Sequence, residues 1–153
     1  FNISLKATNG PVHFQDTKEG FLAIRVAPTM IAKSGGKILN AEGLVGEEEC
    51  WGKTSPWVDY SGLVDGKTVG VALFDAPNNV RKSRYHVRGY GLFAISPFGE
   101  KVYSKGTAAE IPTALEPNQT FQVTYGLYVH AGDAEKGNVA GAYEKFTKLT
   151  AAK

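Results

Sequence analysis

Residues 51–91 gather much of this chain's capacity to hold a ligand. The stretch opens Trp51-Gly52-Lys53-Thr54-Ser55-Pro56-Trp57-Val58-Asp59-Tyr60 and closes Tyr85-His86-Val87-Arg88-Gly89-Tyr90-Gly91, with both tryptophans and one of three histidines inside it. Side chains alternate along an extended strand, so His86, Arg88 and Tyr90 share one side, and Trp57, Asp59 and Ser61 share one side of theirs. If the two strands lie near each other, one surface gains an indole, a carboxylate, an imidazole, a guanidinium and a phenol. Sugars present C–H faces that stack on aromatic rings and hydroxyl rims that pair with planar Arg and short Asp. The expected ligand is therefore a carbohydrate, bound by Trp57, Arg88, Tyr90, Trp51 and Asp75. In an enzyme, His86 or Asp59 would be the general acid or base, and Arg88 would hold a hydroxyl or an acidic group such as a uronate or sulfate.

Two other readings compete. The same side chains would serve a non-catalytic structural or interaction domain if they only brace one sheet against another. A metal-dependent oxidoreductase would need His86 to converge with His13 or His130, and no two of these stand at close ligand spacing. No metal site and no cofactor is expected. Glycosidase chemistry needs two facing carboxyl groups, for which Asp59 and Asp75 are the best candidates, followed by Glu48 and Glu49. There is no nucleophile elbow, phosphate loop or zinc-protease motif, so the sequence names no reaction.

The elements that must position these groups read as strands. Eighteen glycines and seven prolines punctuate short alternating runs rich in β-branched and aromatic residues, which predicts an all-β fold. Runs over residues 1–8, 12–14, 21–26, 38–39, 68–74 and 91–95 alternate or are continuously apolar. The run over 21–26 reads as covered on both faces, and the one over 68–74 as a central strand lined with small residues. Residues 101–104 read as a short edge strand, and Glu47-Glu48-Glu49 as a solvated loop. The clearest strand covers 120–130, with Phe121, Val123, Tyr125, Leu127 and Val129 on a core face and Gln122, Thr124, Gly126, Tyr128 and His130 opposite. Only the tail reads as helix, with Asp133 as N-cap and Val139, Tyr143 and Phe146 at helical spacing. The expected architecture is an antiparallel β-sandwich, jelly-roll or supersandwich-like, with one C-terminal helix, in a single domain over 1–153.

Composition bounds the partners. With 42% hydrophobic and 21% charged residues and a net charge of +2, the chain reads as globular, without a membrane span. It has no basic stripe with interleaved aromatics, so no nucleic-acid partner is expected. The single Cys50 excludes an internal disulfide and is assigned no role. Oligomeric state is not legible. A start at Phe1, already within an alternating run, suggests a processed or excised beginning.

The ordered series of segments resembles one family. Asp16-Thr17-Lys18-Glu19-Gly20, Ala23-Ile24-Arg25-Val26-Ala27, Trp51-Gly52-Lys53, Trp57-Val58-Asp59-Tyr60-Ser61-Gly62, Gly70-Val71-Ala72-Leu73-Phe74-Asp75, His86-Val87-Arg88-Gly89-Tyr90-Gly91-Leu92-Phe93-Ala94, Ser96-Pro97-Phe98-Gly99 and Tyr128-Val129-His130-Ala131-Gly132-Asp133 together resemble the bacterial family labelled "methane oxygenase PmoA". That label does not describe a chemistry open to this chain, which shows neither membrane spans nor a copper-ligand cluster. The resemblance implies a β-sandwich of uncharacterised activity, exported to the periplasm or secreted, in bacteria that degrade polysaccharides. It also implies that this chain corresponds to the later half of a longer member, whose earlier half carries a paired-histidine motif absent here.

Overall fold

The computed structural model describes residues 1–151. In chain order the strands are β1 (Asn2–Lys6), β2 (Val12–Phe14), β3 (Leu22–Arg25), β4 (Lys37–Asn40), β5 (Trp57–Val64), β6 (Lys67–Asp75), β7 (Arg84–Val87), β8 (Leu92–Ser96), β9 (Thr113–Leu115) and β10 (Thr120–Ala131). The helices are α1 (Glu47–Cys50), α2 (Glu100–Tyr103) and α3 (Val139–Ala151). All strand pairs are antiparallel. They form a five-stranded sheet ordered β1-β10-β6-β5-β4, a three-stranded sheet β3-β8-β7 and a small β2-β9 sheet.

The two larger sheets face each other across one apolar core. Val58 and Tyr60 of β5, Leu73 of β6 and Phe121, Val123 and Tyr125 of β10 share a buried cluster with Tyr85, Val87, Phe93 and Ile95 of β7 and β8. The Tyr85 hydroxyl, taken out of water with its ring, donates to Leu73 O at 3.0 Å, which offsets the cost of burying it. Phe14 stacks on Phe98 at one end of this core, with ring centroids 4.5 Å apart. On the far side of the large sheet, Ala72 and Phe74 pack with Val139, Tyr143 and Phe146 of α3. The fold is thus an all-β antiparallel sandwich carrying one C-terminal helix, as the strand periodicity predicts.

Local departures have local causes. In β10, Leu127 and Val129 keep to the expected core face but are 40% and 67% exposed, while Tyr128 is partly covered and His130 is buried on the other face. The alternation survives, and cover has changed sides under α3 and the turn before it. Strand β3 alternates between half-buried and exposed residues and is an edge strand, not one covered on both faces. Residues 101–104 are not a strand: α2 forms because Asp16, far away in sequence, accepts from Lys101 N at 3.0 Å and Val102 N at 2.9 Å. Those are the donors a helix start leaves free. The acidic run Glu47-Glu48-Glu49 opens α1, where carboxylates favour the positive end of the helix. Asp133 accepts from Lys136 N within the preceding turn; the residue before α3 is Asn138, whose side chain accepts from Gly141 N at 3.3 Å.

Candidate functional site

The face on which each candidate stands follows from Tyr60. Its hydroxyl reaches inward from β5 to Arg88 O at 3.3 Å and Gly89 O at 3.0 Å, just past β7. Strand alternation then turns Asp59 and Trp57 outward, away from the three-stranded sheet. The indole, carboxylate, imidazole, guanidinium and phenol anticipated on one surface therefore separate. Trp57 packs beside Phe74, Tyr143 and Phe146 as part of the α3 contact.

Trp51 and His86 do meet. Residues 52–54 run beside β7, with Gly52 N donating to Tyr85 O at 2.8 Å and Tyr85 N to Lys53 O at 3.0 Å. This sets Trp51 against the outer face of β7, edge-on to His86 and tilted against Tyr103 of α2, with centroids at 6.0 and 5.4 Å. Carbonyl oxygens only accept, so the proton at His86 Nδ1 is donated to Lys18 O, at 2.7 Å, which leaves Nε2 as the acceptor in the neutral ring. The Tyr103 hydroxyl donates to the same oxygen at 2.5 Å, and burial pushes its phenol well above the ordinary range. Arg84 is held by Glu100 through Nε at 2.8 Å and Nη2 at 2.5 Å, and by Gly52 O through Nη1 at 2.6 Å. The Arg84 hydrogen bonds hold the Glu100 carboxyl below its usual range. Beside this framework lies a hollow of about 270 Å³, walled by Glu48, Trp51, Lys53, Tyr103, Ser104, Lys105 and Thr107. Trp51 lines this hollow, and its indole N–H is buried without an acceptor.

Asp59 is fully buried, and its Oδ1 lies 2.8 Å from His130 Nε2. The imidazole crosses strand β6 to reach it, and only glycine leaves it room. A Cβ at Gly70 would lie 2.3 Å from the ring, and one at Gly137 2.0 Å from Nδ1. The Tyr128 ring stacks on the imidazole at 5.3 Å. Burial raises the Asp59 carboxyl above its ordinary value; the His130 hydrogen bond only partly opposes this. The second oxygen, Oδ2, has no hydrogen-bond partner.

Asp75, Arg88 and Tyr90 stand elsewhere. Asp75 closes the loop after β6: Oδ2 accepts from Ser83 N at 2.7 Å, and Oδ1 from Asn79 Nδ2 at 2.7 Å and from Ser83 Oγ at 3.4 Å. Alternation puts Asp75 on the inner face with Leu73, opposite to Asp59, so these two carboxyl groups do not face each other across a cleft. Arg88 Nε lies 3.1 Å from Glu47 Oε1, an ion contact without hydrogen-bond geometry, while Glu47 Oε2 accepts from Gly89 N at 2.6 Å. Tyr90 is exposed, but the guanidinium groups of Arg25 and Arg88 already lie over its ring at 5.6 and 5.7 Å. A sugar stacking there would have to displace them. Cys50 is buried, and burial pushes its thiol up to about 11, a poor nucleophile at neutral pH.

The histidines do not converge. His13 is on β2, His86 on β7 and His130 on β10, and no cluster of three metal-ligating side chains occurs among the described residues. No helix among them is long and apolar enough to cross a membrane. Sequence reasoning missed Tyr103, Lys105 and Glu100 at the Trp51 hollow, and His130 as the partner of Asp59. A signal for His130 was present in Gly70, a small residue in the middle of a central strand, where something bulky must come close. No curated protein and no solved structure matches the chain. Residues 1–144 match a family of unknown function, DUF6807, and the chain belongs to that family.

Proposed function

We propose that this chain binds carbohydrate in the hollow beside Trp51. The observation that carries the reading is Trp51, which lines that hollow and whose buried indole N–H has no acceptor in the protein. A buried donor is rarely left unmade, and a ligand oxygen would satisfy it. At about 270 Å³ the hollow is near the lower end of the usual range of about 300–1,000 Å³ for small-molecule sites. Lys53 and Lys105 add donors and positive charge against a single Glu48, which suits uronic or sulfated sugars better than neutral ones. Arg84 is spent on Glu100, so it orders the wall and does not bind. His86 Nε2 is the imidazole atom free to accept a hydroxyl proton, and no reaction is assigned to it. A periplasmic or secreted setting belongs to the same proposal and rests on the family resemblance described above.

The test is calorimetric titration of neutral, uronic and sulfated oligosaccharides into the folded protein and two variants. Trp51→Phe keeps an aromatic face but removes the N–H together with the five-membered ring that carries it, and should weaken binding by at least about threefold to tenfold, the range of one net hydrogen bond. The double change Lys53→Ala with Lys105→Ala should cost acidic sugars more than neutral ones. Equal affinities in all three proteins would remove the hollow as the site. Silence from every sugar would leave the bracing role, for which the saturated Asp75 is the specific support.

A further inference from the structure

We propose that the small hollow beside Asp59, on the opposite side of β5 from Tyr60, is a second binding site that takes a primary ammonium group. The hollow measures about 80 Å³ and is lined by Lys37, Leu39, Asp59, Ser61, Asp133, Ala134 and Glu135. With about 30 Å³ as one water's share of liquid volume, it admits a headgroup of a few heavy atoms and excludes a sugar ring. Asp59, Asp133 and Glu135 set three carboxyl groups against Lys37 in the lining, with His130 paired to Asp59 behind it, and this excess of acids favours a cation.

A cluster of acids on a surface would carry no such inference. Here the decisive atom is Oδ2 of Asp59: its residue is fully buried, its other oxygen is taken by His130, and it has no protein partner. Ser61, two residues on along the same face, lines the hollow too, but its hydroxyl does not meet hydrogen-bond geometry with Oδ2. The site therefore wants donors, and an ammonium has three N–H groups. A divalent metal is the poorer fit, because no three metal-ligating side chains converge among the described residues.

His130 is a positioning residue in this arrangement. Its Nδ1 side is closed by Gly137 and by Ala131 O at 3.3 Å, so it orients the carboxylate and does not meet the ligand. Lys37 lines the hollow without an ion pair to any described carboxylate and is the ligand's built-in competitor. This site is separate from the Trp51 hollow, so either proposal can fail alone.

The probe is methylammonium chloride, titrated into isotope-labelled protein at constant ionic strength and followed by backbone amide shifts. Saturable shifts confined to residues 37–39, 59–61 and 133–137 are expected, with tetramethylammonium, which has no N–H donor, producing none. Asp59→Asn should weaken methylammonium at least about tenfold, the scale of a charge-assisted hydrogen bond, and Lys37→Gln should tighten it. Should Asp59→Asn fail to fold, the exposed Glu135→Gln change serves instead and should weaken binding severalfold. Equal response to both ammonium ions, or undiminished binding in the carboxylate variant used, would overturn the proposal.

Discussion

Asp59 and Asp75 stand on neighbouring strands of one sheet, both buried, and in both burial lifts the carboxyl above its ordinary value. Their surroundings differ in one respect. Asp75 accepts three hydrogen bonds from Asn79 and Ser83, all within its own loop. Asp59 is paired through one oxygen with His130 Nε2 and keeps the other unpaired beside a hollow. A saturated buried acid fastens the fold, whereas a half-satisfied one at a hollow has capacity left for a ligand.

The largest expected effect tests the fastening role. Asp75→Ala strands the Ser83 and Asn79 donors inside the protein and should cost about 3 kcal/mol, since each unmade buried bond costs about 1–3 kcal/mol. Urea unfolding midpoints would show it, and a loss no larger than that of Asp59→Ala would erase the distinction between the two acids. Next comes Gly70→Ala, whose methyl would meet the His130 ring; overpacking of this kind costs about 1–3 kcal/mol. The penalty should shrink in a His130→Ala background, because the clash goes with the ring. A penalty equal in both backgrounds would mean that Gly70 is needed for some other reason.

The smallest effect is in the pH dependence. Both aspartates have folded values raised above 3.8, so the folded state holds protons that the unfolded chain releases. Their contribution to stability therefore falls as pH rises from 3.8 through the raised values, and is level above them. Asp59→Asn and Asp75→Asn should each remove part of that slope. Glu100 acts in the opposite sense, since its value is lowered and its stabilisation is lost as pH falls below 4.5. Glu19 and Asp133 are lowered too, so each Asn variant is compared with its own parent in a Glu100→Gln background, with unfolding midpoints from below 3.8 to neutrality, and the difference isolates that aspartate. A slope unchanged by either Asn substitution would contradict their shared burial.

Much of the fold was legible because a half-buried strand must alternate. The runs at 2–6 and 120–131 are strands for that reason, those at 57–64 and 67–75 are central strands covered largely on both faces, and the aromatic tail found the outer face of the large sheet. Where reading by period fell short, a distant partner had overruled it. Asp16 turned 100–103 into a helix from the other side of the chain, and α3 with its preceding turn moved the burial of β10 to Tyr128 and His130.

The candidate site was legible in its residue types but not in its grouping. Alternation correctly put Trp57 with Asp59, but did not say that Tyr60 would be the one facing β7. The sequence by itself determined the strands, their two-faced character and a concentration of ligand-capable side chains in residues 51–91, because these depend on periods of a few residues. Only the tertiary structure decided that Trp51 would meet His86 and Tyr103, that Asp59 would meet His130, and that Asp75 would be consumed by its own loop. Those outcomes follow from which strands become neighbours and which face each turns inward, and such pairings link residues 71 apart in the chain at a distance of 2.8 Å.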